Sequence, residues 1–183
     1  MQYFKIASLL AAAIASVQAT NIVTLKSLDD VDRTVYFTPS AGHAEIAAVQ
    51  VAAGQSVDVE IPFQWIGNWH GVQKGQANVP GMLGEVTFDG WGGKNYFDVS
   101  AIVNPNDKDN VSEMYPAGQP NTPTSGCKNF PCDNAYYVWD DVQTRVTTQS
   151  HLICTLHKNG YAKRDADEVS EEKLSRDFVL GKK

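Results

Sequence analysis

Short runs in which apolar and polar residues alternate recur along this chain between clusters of Gly, Pro, Asn and Asp, while helical periodicity is scarce. Residues 31–38 and 57–61 read as strands. The stretch 84–104 is the most informative. Glu85, Val86, Thr87 and Phe88 alternate, Asp89, Gly90, Trp91, Gly92 and Gly93 supply turn chemistry, and Tyr96, Phe97, Asp98 and Val99 return as an aromatic and β-branched run. That pattern predicts a β-hairpin, and the chain as a whole is expected to be an all-β sandwich with long surface loops. Because side chains alternate across a strand, Glu85 and Asp98 are placed to share one sheet face and a shallow acidic site. The competing reading is a pair of solvated carboxylates whose loss costs below about 1 kcal/mol.

The ends differ from the middle. Lys5, an apolar run over residues 6–17 and the small-residue step Val17-Gln18-Ala19 predict a secretory signal peptide over residues 1–19. The run is too short to span a bilayer, and no membrane span is expected. A β-sandwich domain is expected over 20–156 and a charged tail, disordered or weakly helical, over 157–183. In the tail, Val169, Leu174 and Phe178 share one face of a helical pattern, and Lys163-Arg164 resembles a dibasic processing site. Residues 103–125 carry dense turn signals and read as a surface excursion anchored by Met114 and Tyr115. Asn110-Val111-Ser112 within it is a glycosylation sequon. Asp107, Asp109 and Glu113 lack the ligand order of a calcium loop and read as a solvated face.

Composition narrows the chemistry. A net charge of −6 and a pI near 5.1 argue against a broad nucleic-acid-binding face, which needs clustered Lys and Arg. Three cysteines, Cys127, Cys132 and Cys154, permit one disulfide in an undetermined pairing and leave one thiol over. His43, His70, His151 and His157 lack the short spacings of metal ligands, so neither a metal nor another cofactor is expected. Trp65, Trp69 and Trp91 lie near glycines, where exposed indoles would grip sugar rings and buried ones would fill a core. Trp139 adjoins Asp140.

Two motifs resemble the thaumatin-like family, in its small fungal-type branch. One is the Glu85 strand with its Gly-rich turn and the Tyr96-Phe97-Asp98-Val99-Ser100 run. The other is Cys132-Asp133-Asn134-Ala135-Tyr136-Tyr137 followed by Asp140 and Asp141. The resemblance covers roughly residues 20–156 and lacks the family's cysteine-rich second domain. It implies a secreted protein recognising a cell-wall polysaccharide or a host-surface component, with β-glucan the first ligand to try. It also implies an acidic cleft of Glu85, Asp98 and Asp140 or Asp141, with Trp69, His70 and Trp91 beside it. Trp69-His70-Gly71-Val72 stands where the family has an Arg, so that cleft is partial. The rival reading is a weak endo-β-1,3-glucanase with Glu85 as acid and Asp98 as base. A secreted nuclease is a further alternative, against which the acidic balance speaks.

Overall fold

The protein is described by a computed structural model over residues 20–119 and 123–161. The expected leader at 1–19, the Lys163-Arg164 step and the helical pattern from Val169 to Phe178 lie outside the described residues. The strands are β1 (Asn21–Ser27), β2 (Arg33–Pro39), β3 (Val49–Val51), β4 (Ser56–Ile61), β5 (Ile66–Gln73), β6 (Leu83–Thr87), β7 (Asn95–Ser100), β8 (Val111–Pro116), β9 (Ser125–Gly126), β10 (Arg145–Thr147) and β11 (His151–Leu156). They form two sheets, ordered β4-β1-β11-β8-β9 and β10-β7-β6-β5-β2-β3. All pairings are antiparallel except β1 with β11. The all-β sandwich expected from the alternation is what the chain adopts.

The core follows from the period of two. Val23 and Leu25 of β1, Val35 and Phe37 of β2, Val86 of β6, Phe97 and Val99 of β7, Met114 of β8 and Leu152 of β11 are buried together between the sheets. Trp65 and Trp69 fill the centre, both fully buried. The Trp69 Nε1–H donates to Cys154 Sγ at 3.3 Å, linking β5 of one sheet to β11 of the other. Gly84 makes room for this indole, since a Cβ there would sit 2.6 Å from Trp69 Cε2. At about 25 cal/mol per Å2, an indole burying roughly 200 Å2 contributes up to about 5 kcal/mol.

A buried ion pair closes one end of the sandwich. Both terminal nitrogens of Arg33 meet the Asp29 carboxylate, at 2.6 and 2.7 Å. Asp29 also accepts the amides of Val31 (3.2 Å) and Lys158 (2.7 Å). Arg33 donates further to the Asp109 carbonyl and to Asn110 Oδ1. A buried pair of this kind is stable only when its remaining donors and acceptors are satisfied, and here they are. Burial pushes the Asp29 carboxyl up, but the bond to and charge of Arg33, with the two amides, outweigh it and hold the group below its ordinary value.

Two sequence expectations need correction. The domain does not stop at Leu156: His157 is buried, and Asn159 exchanges two hydrogen bonds with the Phe130 backbone, at 2.7 and 3.2 Å. The packed region therefore includes residues 157–161. Residues 103–125 are not only a surface excursion, because β8 lies inside them, hydrogen-bonded between β11 and β9. Flanking turn residues hid a strand six residues long that ends in proline.

Candidate functional site

The outer face of the six-stranded sheet carries a polar row fixed by register. Thr38 of β2 opposes Asn68 of β5, Asn68 opposes Glu85 of β6, and Glu85 opposes Asp98 of β7. Each inward neighbour, Trp69, Gly84 or Val99, belongs to the core side, so the strand period puts these polar groups outward. Asn68, Glu85 and Asp98 floor a groove of about 290 Å3, whose walls include Thr87, Tyr96 and Thr144. No Lys, Arg or His lines it among the described residues.

Glu85 and Asp98 meet side chain to side chain. Asp98 Oδ1 is out of solvent and has no N–H or O–H donor among the described residues. The Glu85 carboxyl lies within hydrogen-bonding reach. A proton on Asp98, donated from that oxygen to Glu85, satisfies it. Burial, then the Glu85 charge, then the hydrogen bond to Glu85 push the Asp98 carboxyl up to about 7, and a bond from Thr144 opposes them only partly. Thr144 Oγ1 donates to Asp98 Oδ2 at 3.4 Å and stands 2.8 Å from the Tyr136 hydroxyl. The reading of Asp98 as a freely solvated acid is thus corrected: the sheet face and the Thr144 segment enclose it.

Other expected cleft members go elsewhere. Asp141 Oδ2 accepts the amides of Tyr137 and Val138, at 2.8 and 3.1 Å, and so builds the turn; neither it nor Asp140 lines the groove. Trp69 is core. His70 is buried, its Nε2 2.8 Å from Asn78 Oδ1 and its ring stacked on Tyr36 at 5.6 Å, so it presents no free face. Trp91 is 85 % exposed at the hairpin tip, where its carbonyl accepts the hydroxyl of the wall residue Tyr96. Trp139, also 85 % exposed, belongs to the segment that delivers Thr144.

Sequence reasoning missed Asn68 and Thr144. Alternation around Trp69 contains the signal for Asn68. Thr144 reaches the groove through a turn-rich loop whose path no periodicity encodes. The disulfide joins Cys127 to Cys132 and leaves Cys154 buried and free. Burial pushes the Cys154 thiol up to about 12. The Asn110 side chain, the expected glycan acceptor, is hydrogen-bonded within the fold: its Nδ2 donates to Asp107, at 3.1 Å at the closest, its Oδ1 accepts from Arg33, and Ser112 of the sequon is fully buried in β8. Among the described residues no helix is long and apolar enough to cross a membrane.

Comparison with known proteins decides the family. The chain is 52% identical over 134 residues to the antigenic protein SchS21 of Stachybotrys chartarum, a match spanning 73% of this chain and 92% of that protein. The chain belongs to the SchS21 family. Its fold is also that of the protein elicitor MoHrip2 from Magnaporthe oryzae, with a TM-score of 0.55 at 14% identity over 75% of this chain and 98% of the other. No family model matches the sequence. The thaumatin-like resemblance is therefore corrected: the chain's relatives are of the SchS21 family. The short runs that suggested otherwise record hairpin alternation and the Cys127–Cys132 turn, features any two-sheet protein can need.

Proposed function

We propose that this chain is a secreted recognition protein that holds a cell-wall or host-surface glycan in the groove over Glu85 and Asp98, with β-glucan the first ligand to test. The carrying observation is the groove's make-up. Paired carboxyls, an amide and hydroxyls sit on a rigid sheet face, with exposed indoles of Trp91 and Trp139 on the neighbouring turns. Sugar hydroxyls donate to carboxylates and amide oxygens, while indole faces stack on the apolar faces of sugar rings. A disulfide and a relative described as antigenic agree with a protein met outside the cell that makes it.

The test is retention on insoluble β-1,3-glucan, read beside Glu85→Gln/Asp98→Asn. Retention of the wild type and at least about tenfold weaker binding by the double variant are expected. Equal retention of both would remove the groove from the reading. Release of reducing sugar by the wild type, lost in the double variant, would favour hydrolysis instead.

A further inference from the structure

A second cavity, of about 380 Å3, opens at the sandwich end closed by Arg33. It lies between the β5–β6 connection and the β7–β8 connection, apart from the groove in every lining residue. Its volume falls in the range of about 300–1,000 Å3 typical of small-molecule sites.

Its floor is built rather than incidental. The Asp107 carboxylate accepts the amides of Met82 (2.8 Å) and Asp109 (3.1 Å) and the side-chain amide of Asn110. Asn110 in turn accepts from the buried Arg33 at 3.3 Å. Gly81 closes onto this carboxylate so tightly that a Cβ would overlap Asp107 Oδ2. Asp107 is thus spent on the fold and exerts little pull on a ligand.

The groups left facing the cavity have one character. Gln73, Gln76, Asn104 and Asn106 line it; Gln73 Nε2 donates to the Asp109 carbonyl at 3.5 Å and Asn104 Oδ1 accepts the Asn106 backbone amide at 3.2 Å, which leaves the Gln73 carbonyl, the Asn104 NH2 and the side-chain amides of Gln76 and Asn106 to a ligand. Val79, 62 % exposed, supplies an apolar wall with Val72. Asp109 is the single remaining carboxylate, and no cation lines the site among the described residues. Anionic ligands are disfavoured by that charge, and a sugar bearing only hydroxyls would bring no amide to pair with the side-chain amides and no methyl to the valine wall. An acetamido group matches each element: its N–H and C=O pair reciprocally with side-chain amides, and its methyl covers valine.

We propose that this cavity is a second ligand site and that it takes an N-acetylated sugar residue. The assignment stands independently of the β-glucan reading of the groove. Calorimetric titration with the N-acetylglucosamine tetramer should give one site of submillimolar Kd, with about tenfold or weaker binding of the glucose and the deacetylated tetramers. Amide resonances of Gly71, Gly81 and Asn106 should shift during the titration. Excess β-1,3-glucan hexamer should not displace the tetramer, because the two sites share no residue.

Ala77→Trp fills the cavity from an exposed loop position and should weaken the tetramer at least about tenfold. Gln76→Ala with Asn106→Ala, which removes two amides, tests the same point if the tryptophan disturbs folding. Overturning results are no heat or shifts with the acetylated tetramer, equal binding of the glucose tetramer, displacement by the glucan, or undiminished binding by a folded cavity variant.

Discussion

Asp98 owes its position opposite Glu85 and its contact with Thr144 to different parts of the chain. Alternation on either side of Gly90 to Gly93 is enough to put it opposite Glu85, because a one-residue slip would expose the Phe97 and Val99 side chains. Its enclosure depends on Thr144, which is forty-six residues away in sequence and joined by loop. The consequence is a stability effect opposite to that of a paired surface acid. A carboxyl raised to about 7 binds protons more tightly folded than unfolded, so stability falls as pH rises from about 4 to about 7 and stays low above that. Asp98→Asn removes the charge and gives Glu85 an amide donor. It should raise the melting temperature at about pH 7.5 by roughly 4–8 °C, on the order of 2 kcal/mol, and change it little near pH 4. Equal effects at both pH values would mean that the carboxyls do not share a proton. Cys154 makes a second residue-scale case: a thiol pushed up to about 12 and shut in the core stays a neutral thiol. A thiol-reactive dye should label the native protein negligibly and the unfolded protein with one equivalent; rapid native labelling would contradict the burial.

Elements were legible in proportion to how cleanly their punctuation separated them. The β6–β7 hairpin, with alternating flanks and glycines at its tip, is readable because local chemistry and tertiary position agree. Strand β8 is not, since Asn, Asp, Pro and Gly crowd both its ends and its only strong apolar residues are Val111, Met114 and Tyr115. Its neighbours β11 and β9 stabilise it, and sequence-local rules do not see neighbours. The segment after Leu156 was misjudged for a related reason. Residues 157–161 carry few apolar groups, but their worth is in hydrogen bonds: the Lys158 amide to Asp29, the Asn159 pair with Phe130, and the Gly160 amide to Asn129 Oδ1. A chain ending at Tyr161 should melt within about 2 °C of full length, whereas one ending at Leu156 should lose roughly 2–4 kcal/mol, since Asp29 loses the Lys158 amide and the Phe130 amide and carbonyl lose the Asn159 side chain. Indistinguishable melting curves for the two truncations would show that these bonds add nothing.

At the scale of the molecule, the two-sheet architecture was readable from alternation, whereas the family was not, because short motifs report local turn chemistry and kinship is spread over the whole alignment. The arrangement sets a pH response that no single residue has. Asp29, held below its ordinary value inside the Arg33 pair, contributes stability present above the unfolded carboxyl value of about 3.8 and lost as pH falls through its folded value. The Glu85–Asp98 pair works in the other direction, contributing nothing adverse near pH 4 and costing stability progressively as pH rises from about 4 to about 7. With a net charge of −6, self-repulsion adds to the alkaline side. Both acids are in their favourable states near pH 4, so the melting temperature should peak there, fall as pH drops through the folded Asp29 value, and decline by several degrees between about pH 4 and about pH 7. Asp98→Asn should flatten that decline and leave the acid limb in place, since Asp29 and Arg33 are untouched. A melting temperature that climbs steadily to about pH 8 in the wild type, with the variant running parallel to it, would show that the groove carboxyls are ionised independently and would remove the shared proton from the account.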